Sequence, residues 1–147
     1  MPVTAQDARE LVGRAQEKAA EFKKSVSVAV VDYGGFIVLV ERQATARPMT
    51  PLIAISKAYT AAVMQRPGSM LKGWSETQPV YFSAVSTLGH WPIMATDGAI
   101  TIKRDGEIIG GLGVAGGRAE EDEQIARGAL EAAGYELEFE AWGQKKV

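Results

Sequence analysis

The 147-residue sequence predicts an α+β fold: a single antiparallel sheet with helices packed on it. Three observations carry this expectation. Two pairs of short apolar runs are each joined by a tight turn, and tight turns require antiparallel neighbours. Helix-period segments stand before, between and after those pairs, which lacks the strand–helix alternation of a parallel sheet. The glycine-rich stretch 106–117 also fails to match G-x-G-x-x-G at a strand-to-helix turn, so a dinucleotide-binding unit is not indicated.

Taken in order, Thr4 is placed to cap a first helix, with Asp7 three residues on. Ala8, Leu11, Val12, Ala15, Ala19 and Phe22 then recur at helical spacing to about Lys23. The run SVSVAVVDY, the turn Tyr33-Gly34-Gly35 and the run FIVLVER predict a β-hairpin over residues 26–42. Asp32 is expected to shape that turn. QATARPM reads as a loop. Thr50 followed by Pro51 predicts an N-cap and a proline at the first helical position, opening a helix that stops before Pro67. A short helix is expected near 68–77. Residues 79–98 are expected to be irregular, with at most a short strand. Asp105-Gly106 between apolar runs is the strongest hairpin signal of the chain. A last helix follows over about 119–133. The tail from 134 alternates briefly and then turns polar and mobile.

The length fits one domain over residues 1–147, large enough to carry its own core. A hydrophobic fraction of 46%, a charged fraction of 23% and a net charge of -2 describe an ordinary globular chain. With no basic run, neither nucleic acid nor an anionic membrane is an expected partner. The absence of cysteine excludes disulfides and thiolate metal sites. The first residues have no basic and apolar leader pattern, and no apolar run is long enough to span a bilayer, so a cytoplasmic location is the expectation.

Four stretches occur in a telling order: VSVAVVDYGG, ISKAYTAAVMQRP, DGEIIGGLGVAGG and EDEQIARGAL. Together, over about residues 5–133, they resemble the GlcG/HbpS-like family of haem-degrading-domain proteins, which includes the C-terminal domain of PduO-type proteins. The resemblance implies a profilin-like α+β fold and assembly into homo-oligomers, dimers or larger rings such as octamers. It also implies haem or iron binding in some members. Two departures stand near the expected pocket. Gly98-Ala99-Ile100-Thr101-Ile102 replaces the family's Gly-Gly-x-Pro-Ile string, and Ala115 stands where serine is usual.

The candidate site residues follow from their chemistry. His90, the single histidine, suits an axial haem ligand, a metal ligand or an acid–base group. Asp122 falls on the same helical stripe as Ile125, Ala126, Ala129 and Leu130, so it is expected to face the core or an interface. There it needs a partner or takes a raised pKa, as a cap, a cation ligand or a general base. Lys57 shares a face with Ile53, Thr60 and Met64. It either stretches its amine to water or meets a ligand carboxylate. Arg42 and Arg47 are candidates for the same carboxylate. Tyr81, Phe82 and Trp91 are core aromatics or pocket walls. Gly111, in a glycine-rich strand, marks close packing or a pocket floor. Glu120, Glu121 and Asp122 suit the positive end of the last helix and argue against a phosphate there.

Three functional expectations come from this set, and the last is a purely accessory or scaffold protein. The first is a soluble oligomer that binds haem or another carboxylate-bearing small molecule. The second is an enzyme without an organic cofactor that isomerises, tautomerises or hydrates a small carboxylic acid through His90, Asp122 and Lys57.

Overall fold

In the computed structural model the structure describes residues 2–140. The first helix, α1 (Ala5–Glu21), opens on a reciprocal capping box: the Asp7 N–H donates to Thr4 Oγ1 and the Thr4 N–H donates to Asp7 Oδ2, both at 3.0 Å. The first hairpin joins β1 (Ser27–Asp32) to β2 (Ile37–Arg42). Asp32 Oδ1 accepts the N–H groups of Gly34 and Phe36, and this fixes the turn.

Next come α2 (Thr50–Val63), α3 (Gly68–Thr77) and α4 (Pro79–Val85). Two expectations change here. Met49, not Thr50, takes the N-cap position of α2, and its side chain makes no capping bond. The Thr50 hydroxyl donates to the Arg47 carbonyl at 2.7 Å and lies 2.8 Å from Ser27 Oγ, so it ties the helix start to β1. Residues 79–85, expected to be irregular, are helical. Pro79 presets the first turn, and Phe82 buries its ring edge-on against Trp74, 4.8 Å between centroids. The remainder, 86–98, is irregular and contains no strand.

The second hairpin is β3 (Ala99–Arg104) and β4 (Glu107–Ala115), turned by Asp105 and Gly106 at positive φ of 51° and 77°. That is the twist a two-residue hairpin loop prefers. Helix α5 (Ala119–Ala132) follows. All neighbours in the sheet are antiparallel, in the order β2-β1-β4-β3.

Helices cover both faces of this sheet. On one, Val28, Val30, Ile100, Ile102, Leu112 and Val114 pack against the apolar stripes of α1 and α5. On the other, Ala29 and Val31 meet Ala54, Ala58 and Ala62 of α2. Gly111 and Gly113 face the same helix. A Cβ at Gly111 would sit 2.0 Å from the Ala58 carbonyl oxygen, and one at Gly113 would sit 2.0 Å from that of Ala54. So α2 rests on bare strand backbone. The start of the tail lies beside β3, where the Glu136 N–H donates to the Lys103 carbonyl at 3.0 Å and Tyr135 is buried. The polar, mobile end expected of the tail falls on 141–147, outside the described residues.

Candidate functional site

The turn between β4 and α5 collects the chemistry. Asp122 lies on the helical stripe that carries Ile125, Ala126, Ala129 and Leu130, and it is 4% exposed. From there Oδ1 accepts the Gly117 N–H at 2.9 Å. Glu121 likewise accepts the Arg118 N–H at 2.8 Å. The acids at the head of this helix therefore cap backbone donors of their own junction.

The second carboxylate oxygen of Asp122 accepts from Lys57 Nζ at 3.1 Å. Lys57 comes from the middle of α2 and is 5% exposed. Its amine also donates to the Val114 carbonyl at 2.8 Å, so one ammonium joins α2, β4 and α5. Burial pushes the Asp122 carboxyl above the usual carboxylate range. The Lys57 ammonium and the Gly117 N–H oppose that push without cancelling it. Glu121 is held below its usual range, chiefly by the Arg118 N–H.

Lys57 and Asp122 form the floor of a cleft of about 740 Å³. Met49, Leu52, Ile53 and Met94 supply apolar wall, and the exposed Arg47 stands on its rim. The Met94 side is pinned by its N–H donating to Thr60 Oγ1 at 2.7 Å. A little further on, the Gly98 N–H donates to Glu123 Oε1 at 2.8 Å. Gly98 has a φ of +85°, and a Cβ there would sit 3.0 Å from Lys57 Nζ and 2.9 Å from Asp122 Cβ. Only a glycine lets this backbone close over the pair.

The structure thus brings together Lys57, Asp122 and Arg47. It does not bring His90 to them. His90 lies beside the β1–β2 turn, at the end of the sheet away from Ala115. There its ring stacks on Phe36 with centroids 4.8 Å apart, meets Tyr59 edge-on and places Nε2 3.0 Å from the Gly35 carbonyl oxygen. Trp91, like Val40 and Ile53, packs against the apolar cluster between β1 and α2. Tyr81 and Phe82 form an aromatic group with Trp74 between α3 and α4. Arg42 donates to the carbonyls of Ala44 and Ala46, where it holds the loop before α2. Gly111 is occupied by the backbone of α2 and is not part of the cleft lining. Sequence reasoning did not single out Met49, Leu52, Met94 or Gly117. The wall they form depends on the path of loops, and the one available signal was Gly98 just before a strand. A second concavity, about 710 Å³, lies at the hairpin-turn end between Tyr33, Phe36, Gln65 and Ile108.

A family model described as haem-degrading, HbpS-like protein matches residues 3–131. The chain belongs to the HbpS-like family. GlcG of Escherichia coli is 33% identical to this HbpS-like chain over 110 residues, which cover 74% of the chain and 78% of GlcG. PduO of Salmonella typhimurium, a corrinoid adenosyltransferase, is 30% identical over 126 residues. That match takes in 86% of this chain but only 37% of the length of PduO. Among solved structures, a PduOC–haem complex superimposes with a TM-score of 0.83 at 28% identity, covering 92% of this chain and 98% of that one.

Proposed function

We propose that this HbpS-like protein binds a small, flat, largely apolar molecule that carries a carboxylate, with haem as the specific candidate. The observation that supports this reading is the make-up of the cleft: apolar walls, an arginine on the rim and a buried ammonium at the floor. The structural likeness to a PduOC–haem complex supports haem in particular.

The cleft residues suit haem in chemistry. Met49, Leu52, Ile53 and Met94 suit a porphyrin face. Arg47 suits a propionate, because a guanidinium offers two parallel donors to a carboxylate. The thioethers of Met49 and Met94 would be the soft donors that this wall could offer to haem iron. His90 is not used, since it sits at the other end of the sheet with Nε2 against the Gly35 carbonyl.

Titration with ferric haem tests the reading. A saturable Soret change is expected, with Arg47→Glu weakening binding by roughly tenfold, the scale of one charge-assisted pair. Met49→Leu combined with Met94→Leu should shift the Soret maximum, whereas His90→Ala should leave it in place. A titration without saturation, or one indifferent to all cleft substitutions, defeats the proposal.

A second reading rests on Asp122, whose carboxyl is raised by burial on the floor of an open cleft. There it could transfer a proton to or from a small carboxylic acid held by Arg47, the enzyme alternative with His90 left out. Asp122→Asn should then slow turnover by roughly 10²–10⁴-fold with substrate binding preserved.

A further inference from the structure

We infer that a ligand carboxylate reaching the floor of this cleft is bound by the third N–H of Lys57 and that its arrival drives a proton onto Asp122, so that binding is coupled to proton uptake. The inference rests on the cleft reading above and adds to it the site of anion recognition and its control by pH.

The geometry carries the argument. An ammonium has three N–H donors. Lys57 commits one to the Val114 carbonyl and one to Asp122 Oδ2, and these two bonds fix its orientation. The third has no acceptor among the described residues, although the Lys57 side chain is only 7% exposed. Both Lys57 and Asp122 line the cleft. The floor therefore presents a buried, oriented donor with positive charge behind it, and an anionic oxygen is its natural partner.

That partner would share one ammonium with Asp122. Two carboxylates around a single buried cation cannot both stay ionised at ordinary cost, so one takes up a proton. The charged surroundings assign it to Asp122. From α5, Glu121 adds a nearby negative charge, although Lys24 and Arg118 hold that carboxylate. Glu123 is engaged by the Gly98 N–H and Arg127. From the 94–98 segment, Asp97 is turned to Lys72. From the loop before α2, Arg47 stands on the rim, where it favours the ionised form of the ligand. Asp122 is also the carboxyl already raised by burial. A solvent proton would add at Oδ2 and give an O–H that can donate to the ligand, while Oδ1 keeps the Gly117 N–H.

The sign follows from linkage. A ligand that raises the Asp122 pKa binds more tightly as pH falls. Between the free and bound pKa values, affinity should drop by about tenfold for each pH unit of increase. Below and above that window the dependence should flatten.

The test is calorimetric titration of the whole protein with ferric haem, in phosphate and in Tris, from mildly acidic to mildly alkaline pH. Proton uptake appears as a difference in apparent enthalpy between the buffers. The expected result is uptake approaching one proton per haem within a pH window. It should be absent with haem dimethyl ester, which lacks both carboxylates, and absent in Asp122→Asn, whose affinity should lose its pH slope. Haem that binds in the cleft with no buffer dependence at any pH overturns this inference and leaves the cleft reading standing. The same uptake with the ester, or in a folded Asp122→Asn, also overturns it. Haem that does not bind at all overturns the cleft reading and this inference with it.

Discussion

Strand β4 shows two different materials on its two sides. Toward α1 and α5 it presents Leu112 and Val114, fully buried among branched aliphatic side chains. Toward α2 it presents Gly111 and Gly113, against which the helix backbone lies directly. The first face gains its stability from apolar volume. The second gives up side-chain volume for closeness. That closeness lets a lysine from the middle of α2 reach past β4 to the head of α5. The α2 face also holds the buried polar groups Ser27, Thr50, Lys57, Thr60 and Thr101. Holding the fold together and arranging chemistry are thus largely assigned to opposite sides of one sheet. Substitutions on the two sides should fail in different ways.

The largest effect is expected at Lys57. Lys57→Met leaves the Asp122 carboxylate buried without its cation, and breaking such a pair from one side costs about 3–5 kcal/mol. The loss should depend on pH with a definite sign. Without Lys57 the folded-state pKa of Asp122 rises further above its unfolded value. The variant should therefore be least impaired in acid and lose stability as pH rises through that folded pKa. Denaturant titrations across pH measure this. Adding Asp122→Leu should recover much of the stability while haem affinity stays lost, because an apolar pair of similar volume can replace a buried ion pair. If the double variant binds haem like the wild type, the polar face has no special part in binding.

Adjacent positions of β4 sharpen the contrast. Leu112→Ala should cost about 2–5 kcal/mol by opening a cavity against α1 and α5. Haem affinity, measured under conditions where the protein stays folded, should change little. Gly111→Val should cost about 1–3 kcal/mol by the opposite route, since its side chain must displace the backbone of α2. Because α2 carries Lys57, haem affinity should fall with it. Equal effects of both substitutions on affinity would erase the distinction between the faces.

This division was partly legible in the sequence. The hairpins announced themselves through Asp105-Gly106 and Tyr33-Gly34-Gly35, whose turns are fixed by local backbone chemistry. Helical periodicity placed Asp122 on an apolar stripe, which is how its burial could be anticipated from a few neighbours. Lys57 was harder. A lysine on a mixed stripe can reach water or turn inward, and the choice depends on a carboxylate 65 residues away in the chain. Gly111 was ambiguous for a similar reason: a bare strand position does not say whether a helix or a ligand fills it. The segment 79–98 defeated local reading most. Pro79, Ser83, Ser86, Thr87 and Gly89 suggest irregular chain, yet burial of Phe82 against Trp74 holds a helix over 79–85. The path that brings Met94 to the cleft is set by long-range bonds such as that to Thr60.

The smallest expected effect lies at the rim of the aliphatic face, in the cap of α1. Asp7 accepts the Thr4 N–H and pairs with Arg104 at 3.3 Å. The Thr4 N–H is the main cause of a carboxyl pKa below the usual range; burial opposes it, and the Thr4 hydroxyl and Arg104 add to the lowering. A lowered folded-state pKa means that Asp7 stabilises the fold above the unfolded carboxylate value, and that this contribution fades as pH falls through the folded one. Asp7→Asn should accordingly cost about 0.5–1 kcal/mol at neutral pH, the scale of one cap interaction and a partly exposed ion pair. The difference between variant and wild type should vanish in acid. Haem affinity should not move, since α1 lies across the sheet from the cleft. Both this deficit and that of Lys57→Met shrink in acid, but over different windows: the Asp7→Asn deficit changes below the unfolded carboxylate pKa, and the Lys57→Met deficit above it, because the buried carboxylate there has lost its cation. If the two deficits changed over the same pH window, the electrostatic contrast between the two faces would be wrong.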